Sequence, residues 1–264
     1  MNDPSHQPDP PRRVIDLSVE VAGSPEEVWE AIATGPGISS WYVPTTVDER
    51  EGGATTSHFG DGPGMHIPGR VEAWEPPRRV VFTGETEGLA FEWLVEARDG
   101  GTCIVRLVNS GFLEGDEWDA MYDGMTEGWQ LFLENLRLHR LHFPGQAGTS
   151  MLPSASWAEP GGAAWSRLLD GLGIASDPPV GVTVHCAATA DRPALGGTVL
   201  SSGPTRLALL LDTPVRGTAF LAAESQGSAA MVSVWCYLYG DDAPSTIERD
   251  APRWAAWLAA LAPS

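Results

Sequence analysis

The sequence predicts an α+β fold used twice: a strand, two short helices, a meander of about six antiparallel strands and a long closing helix, followed by a second, abbreviated copy. Three observations carry this. Turn signals recur through residues 45–109 between short strand-forming runs, as in successive hairpins. Apolar residues then recur at helical spacing over residues 116–142. Finally, VWEAIATGPGIS (28–39) reappears as AWSRLLDGLGIA (164–175), which aligns Trp29 with Trp165, Gly35 with Gly171, Gly37 with Gly173 and Ile38 with Ile174.

The elements follow in order. VIDLSVEV (14–21) alternates, with Ile15, Leu17, Val19 and Val21 on one face and Asp16, Ser18 and Glu20 on the other, which predicts a half-buried strand. In SPEEVWEAIAT, Ser24 is the expected N-cap, Pro25 takes the first helical position and Glu27 completes a capping box. Val28, Trp29 and Ile32 form the apolar face, Gly35-Pro36-Gly37 ends the helix, and ISSWYVP follows as a second short helix or turn. Turns are expected at EGG (51–53), GDGPG (60–64), EPPR (75–78) and DGG (99–101), the last dividing FEWLVEAR from TCIVRLVN as a hairpin. The long helix carries Trp118, Met121, Met125, Trp129, Phe132, Leu133 and Leu136 at spacings of three and four.

Residues 1–13 read as a disordered tail, 14–142 as the first domain, FPGQAGTSMLPSAS (143–156) as a linker and 157–264 as the second domain. In the second domain a helix is expected over 161–172. Strands are expected near 180–187, 197–202, 206–211, 218–223 and 229–239, and a closing helix over 244–261. GW..FL..L (128–136) matches RW..WL..L (253–261), and Gly-Asp precedes each closing helix, at 115–116 and 240–241. No copy of the first strand is visible before Trp165, which is why the second unit reads as abbreviated.

Composition excludes several functions. The polar, proline-rich start and the lack of a long apolar run predict neither signal peptide nor membrane span, so a soluble, cytoplasmic protein is expected. The net charge is −19 and every fixed cation is an arginine. Such a surface repels phosphate backbones and anionic lipid, so neither nucleic acid nor a membrane is an expected partner. Without lysine there is no Schiff base, no pyridoxal phosphate attachment and no phosphate-binding loop. Cys103, Cys186 and Cys236 lie far apart in apolar runs and read as buried thiols.

PEEVWEAIATGPGISSWYVP, GRVEAWEPPRRVVFT and TEGWQLFLENLRLHR together resemble the SRPBCC superfamily, the START or Bet-v-I-like helix-grip fold. Within it they are most similar to the branch named after the activator of the heat-shock protein 90 ATPase. The resemblance covers residues 14–142 and is only suggestive for the second unit. It implies a curved antiparallel sheet gripping the long helix, with a mostly apolar cavity between them and a small hydrophobic molecule as partner. Gly124 and Gly128 on the long helix, each costing roughly 1 kcal/mol against alanine, either let the sheet approach or leave space for a ligand.

The side chains expected to line that cavity are Trp41, Tyr42, Phe59, Phe82, Phe91, Trp93, Met121, Tyr122, Met125 and Trp129. The GPGISSWY segment is expected at its rim. The titratable candidates Tyr42, His58, His66, Arg70, Glu92, Arg106, Asp119 and Tyr122 have no spacing that makes them converge, and Glu92 with Arg106 reads as a pair across a hairpin's solvent face. No cofactor is implied. His139 and His142 lack a third ligand and suit a helix C-terminus, so no metal is expected. Three functions stay open: binding of a small hydrophobic ligand, a cyclase, aromatase or dehydratase activity, and a co-chaperone role. In the second copy Asp177-Pro178 replaces Trp41-Tyr42, and Arg249 and Arg253 stand where Gly124 and Gly128 were. The two arginines are expected to project into any equivalent gap, leaving a smaller or filled cavity.

Overall fold

The computed structural model describes residues 13–60, 62, 64–84, 88–113 and 115–263. Most of the expected tail and part of the 60–64 turn lie outside the described residues. The chain divides into two units, at Gly145/Gln146.

The first unit runs β1 (Arg13–Ala22), α1 (Pro25–Ala33), α2 (Gly35–Ser39), β2 (Thr45–Val47), β3 (Ala54–His58), β4 (His66–Glu75), β5 (Arg79–Gly84), β6 (Ala90–Arg98), β7 (Thr102–Phe112) and α3 (Asp116–His142). Its antiparallel sheet has the order β1-β7-β6-β5-β4-β3-β2, so the first strand pairs with the last. The predicted capping box is present: Glu27 N donates to Ser24 Oγ at 3.3 Å and Ser24 N to Glu27 Oε2 at 2.8 Å. Trp29 then meets Trp74 of β4 edge-on at 4.9 Å and fixes α1 to the sheet. Gly37 lets α2 fold back on α1, since a Cβ there would lie 1.9 Å from Glu30 O. At the far end of α3 the buried Arg140 donates to Ala22 O at 3.0 Å and ties the helix to the end of β1.

The second unit runs β8 (Gly148–Met151), β9 (Ser154–Trp157), α4 (Gly161–Leu172), β10 (Thr183–Cys186), β11 (Leu195–Ser202), β12 (Arg206–Thr213), β13 (Gly217–Gln226), β14 (Ala229–Tyr239) and α5 (Ala243–Leu261). Two expectations are corrected here. The stretch read as a linker forms sheet from Gly148 onward, and the missing first strand is there. β8 pairs with β14 from Met151↔Cys236 to Gly148↔Tyr239, and β9 continues in the same register from Ser154↔Ser233 to Trp157↔Ala230. The two are one strand line interrupted at Leu152-Pro153, where proline has no N–H to donate. With that line counted, the strand order after β14 (β13, β12, β11, β10) repeats the first unit's order after β7 (β6, β5, β4, β3). Among the described residues the second copy has no counterpart of α2 or β2.

Its interior is filled. Trp157, Trp165, Leu168, Trp254 and Leu258 belong to one buried cluster between sheet and helices, and Trp157 Nε1 donates to Leu258 O at 3.0 Å. The expectation that Arg249 and Arg253 would fill the gap is corrected. Thr246, Asp250, Trp254 and Leu258, four apart, are the buried face of α5. Both arginines lie beside it and pair with Asp250, Arg249 at 2.6 Å and Arg253 at 3.4 Å. That carboxylate is 1% exposed, so its counter-ions reach in from the helix flank. The repeated glycines also change task. Gly171 admits Trp257 and Leu261 against α4, and Gly173, at φ +70°, ends the helix.

Candidate ligand-binding cavity

The first unit encloses a cavity of about 630 Å³ between the inner face of its sheet and α3. Alternation in the strands sets its lining, so Thr55 and Ser57 of β3, Phe82 of β5, and Phe91 and Trp93 of β6 point inward. From α3 come Gly124, Met125, Gly128, Trp129 and Phe132, one side of a helix by their spacing. Among the described residues, nothing lies within 4 Å of a Cβ built at Gly124 or Gly128. Of the two roles open to these glycines, they leave space; they do not draw the sheet in.

Eight of the ten expected residues line the cavity: Trp41, Tyr42, Phe59, Phe82, Phe91, Trp93, Met125 and Trp129. Tyr42 stacks on Trp129 at 5.2 Å and meets Phe132 edge-on at 4.5 Å, while Trp93 meets Trp129 at 5.5 Å and Trp41 at 5.6 Å. This cluster is held from behind. Trp41 Nε1 donates to Ala31 O and Asn135 Nδ2 to Trp41 O, both at 2.8 Å, so the segment after α2 is fixed to α1 and α3 together. Burial pushes the Tyr42 phenol far above its usual range, so it stays an O–H donor. That hydroxyl makes no hydrogen bond among the described residues. Thr45 Oγ1 and Ser57 Oγ, 3.3 Å apart, add neutral polar groups at the β2–β3 side.

Met121 and Tyr122 lie outside the lining. Met121 is 37% exposed, and Tyr122 faces β1, its hydroxyl donating to Val14 O at 3.2 Å with the Arg13 guanidinium over its ring. By spacing Met121 shares a side of the helix with Met125 and Gly128, but the lining on α3 begins at Gly124, so Met121 lies a turn short of the cavity and Tyr122 turns to β1. Other lining residues stand outside those ten: Ile32, Ile38 and Phe132, which the sequence marked only as helix-face or rim residues, and Met65 and Ile67, which it did not mark. For Ile67 and Met65 the signal was alternation from each other on β4 and its approach; for Phe132 it was the turn from Gly128.

The titratable candidates do not converge. Only Tyr42 lines the cavity. The expected Glu92–Arg106 pair is corrected: Glu92 accepts from Arg79 Nε at 2.5 Å, and Arg106 grips Asp16 with Nε–Oδ1 at 2.7 Å. Arg79 of β5 and Arg106 of β7 both lie opposite Leu94 of β6, so Glu92 is diagonal to each; it takes Arg79, while Arg106 turns to Asp16 across β1. Arg106 in turn lowers the pKa of Asp16. Asp119 pairs with Arg13. His58 and His66 face each other on the hairpin's outer side. Among the described residues no group of three or more metal-ligating side chains could hold an ion. No helix among them is long and apolar enough to cross a membrane.

Residues 22–139 match the family described as Activator of Hsp90 ATPase homolog 1-like protein, within the SRPBCC superfamily, and the match falls wholly within the first unit. No curated protein matches the sequence. Among solved structures, a Bacillus halodurans protein is similar at 24% identity over 49% of this chain and 98% of its own, with a TM-score of 0.43. The di-domain ARO/CYC BexL from the BE-7585A biosynthetic pathway aligns at 14% identity over 94% of this chain and 98% of its own, with a TM-score of 0.45. DynU16, from the dynemicin biosynthetic locus, aligns at 19% identity over 95% and 97%, with a TM-score of 0.43.

Proposed function

We propose that the first unit takes up an uncharged, largely apolar small molecule between its sheet and α3, and that the second unit serves as scaffold. The observation that supports this reading is a cavity of about 630 Å³ whose lining, among the described residues, includes aromatic rings, methionines and glycines and no charged side chain. Its volume is in the range that holds a drug-sized ligand. A charged molecule would lose its hydration there without gaining a counter-charge. Hydroxyls of Tyr42, Thr45 and Ser57 orient the ligand through neutral hydrogen bonds.

The uncharged dye Nile red, titrated into the full chain, tests this. One equivalent is expected to bind and to quench the emission of Trp93 and Trp129. Gly128→Trp, which places an indole in the lumen, is expected to abolish uptake, while Gly162→Trp on an open side of α4 leaves it unchanged. Equal uptake by both variants defeats the reading.

A cyclase, aromatase or dehydratase needs an acid and a base reaching one substrate, and among the described residues the lining offers one titratable candidate, Tyr42. A co-chaperone role follows the matching family's description. The expected docking surface for it is basic, and a chain of net charge −19 without lysine supplies little. Apolar ligand binding therefore stands first.

A further inference from the structure

Outside the cavity, two histidines stand together at the end of a hairpin. His58 closes β3, His66 opens β4, and they are direct partners in that antiparallel pair. The His58 amide donates away from β4, to Pro44 O at 2.8 Å. The two residues therefore form a non-hydrogen-bonded pair, the kind whose side chains stand closest. Their ring centroids are 4.5 Å apart, edge to face. Ser57, Phe59, Met65 and Ile67 line the cavity, so by strand alternation both imidazoles project from the hairpin's outer face. Neither makes a hydrogen bond or an ion pair among the described residues.

The geometry points to a two-histidine site for a divalent transition metal ion, chelated across β3 and β4. An imidazole nitrogen binds such an ion at about 2.0–2.1 Å. Two nitrogens on one ion then stand about 3 Å apart, a spacing that rings with centroids 4.5 Å apart reach by turning about their side-chain bonds. The sheet register already holds both ligands, so little ordering remains to oppose binding. Imidazole suits copper, nickel and zinc, and copper(II) binds most tightly in that order. Water fills the remaining positions, so the ion exchanges. Its effect is to tie β3 to β4 at the hairpin end whose inner side carries Phe59 and Met65. This site stands independently of what the cavity holds.

Copper(II) titrated into the full chain, followed by calorimetry and electron paramagnetic resonance, tests the proposal. The expected result is a site with two nitrogen ligands whose affinity falls about a hundredfold in His58→Ala and equally in His66→Ala, because losing either arm ends the chelate. His142→Ala and His185→Ala should leave it unchanged, and circular dichroism should show all four variants folded. Failure of the parent chain to bind, a single-nitrogen signature, or affinity within threefold of the parent in either hairpin variant overturns it.

Discussion

At the scale of single residues, burial outweighs the local electrostatics that the sequence displays. His139 lies in the last turn of α3, where a cation would suit the helix end. It is 3% exposed, and burial, with Arg140 acting in the same direction, holds its pKa down at about 4 against an ordinary 6.5. Above pH 6.5 the imidazole is neutral in both folded and unfolded chains. As the pH falls from there toward 4, the unfolded chain binds a proton that the native chain does not, so stability is lost on acidification. The slope contributed is up to about 1.4 kcal/mol per pH unit. Urea unfolding at stepped pH is expected to show that slope in the parent and a shallower one in His139→Leu; equal slopes would exclude the assignment. Cys236 follows the same rule, its thiol pushed up to about 12 by burial with the charge of Asp250 adding to it. The pairing of Glu92 with Arg79 and of Arg106 with Asp16 was not legible in the sequence for a related reason. One hairpin's residues show which charges share a face, but the strands that flank the hairpin decide which partner each one meets.

At the scale of elements, α3 trades its own stability for room. Gly124→Ala and Gly128→Ala are each expected to stabilise the protein by about 1 kcal/mol, since helix propensity improves and the added Cβ meets nothing within 4 Å among the described residues. The same substitutions narrow the lumen. Rising thermal stability with weakened Nile red uptake is the expected pair of results, and a loss of stability in both variants would show that the glycines serve packing. Helices were the most legible part of the sequence. The predicted bounds of α3 and α4 match those observed, because apolar spacing is a local signal, as is Gly173 at the end of α4; the capping box and proline of α1 are others. The β8–β9 line was illegible because its partner, β14, lies some eighty residues further on, and apart from Met151 and Trp157 its residues are small, mostly polar and interrupted by proline. The cavity lining was read well where aromatic side chains marked it, and missed where the marker was only a shared face with Phe59 or Gly128.

At the scale of the whole molecule, one architecture serves two ends. The first copy keeps its interior open with glycines, and the second closes it with Trp157, Trp254 and Leu258. Both complete their sheets by pairing the first strand with the last. Synthesis at about 5–20 residues per second therefore leaves the 148–157 segment waiting roughly 4–16 s before β14 emerges. Throughout that interval its backbone donors and acceptors are open to any passing strand. Pro153 and the serines around it blunt that hazard, as gatekeepers do. Pro153→Val is accordingly expected to change equilibrium stability by no more than about 1 kcal/mol, while light scattering during refolding rises; unchanged scattering would deny proline that role. The residues that made this strand look like a tether are those that keep an unpartnered strand from finding the wrong neighbour on the ribosome.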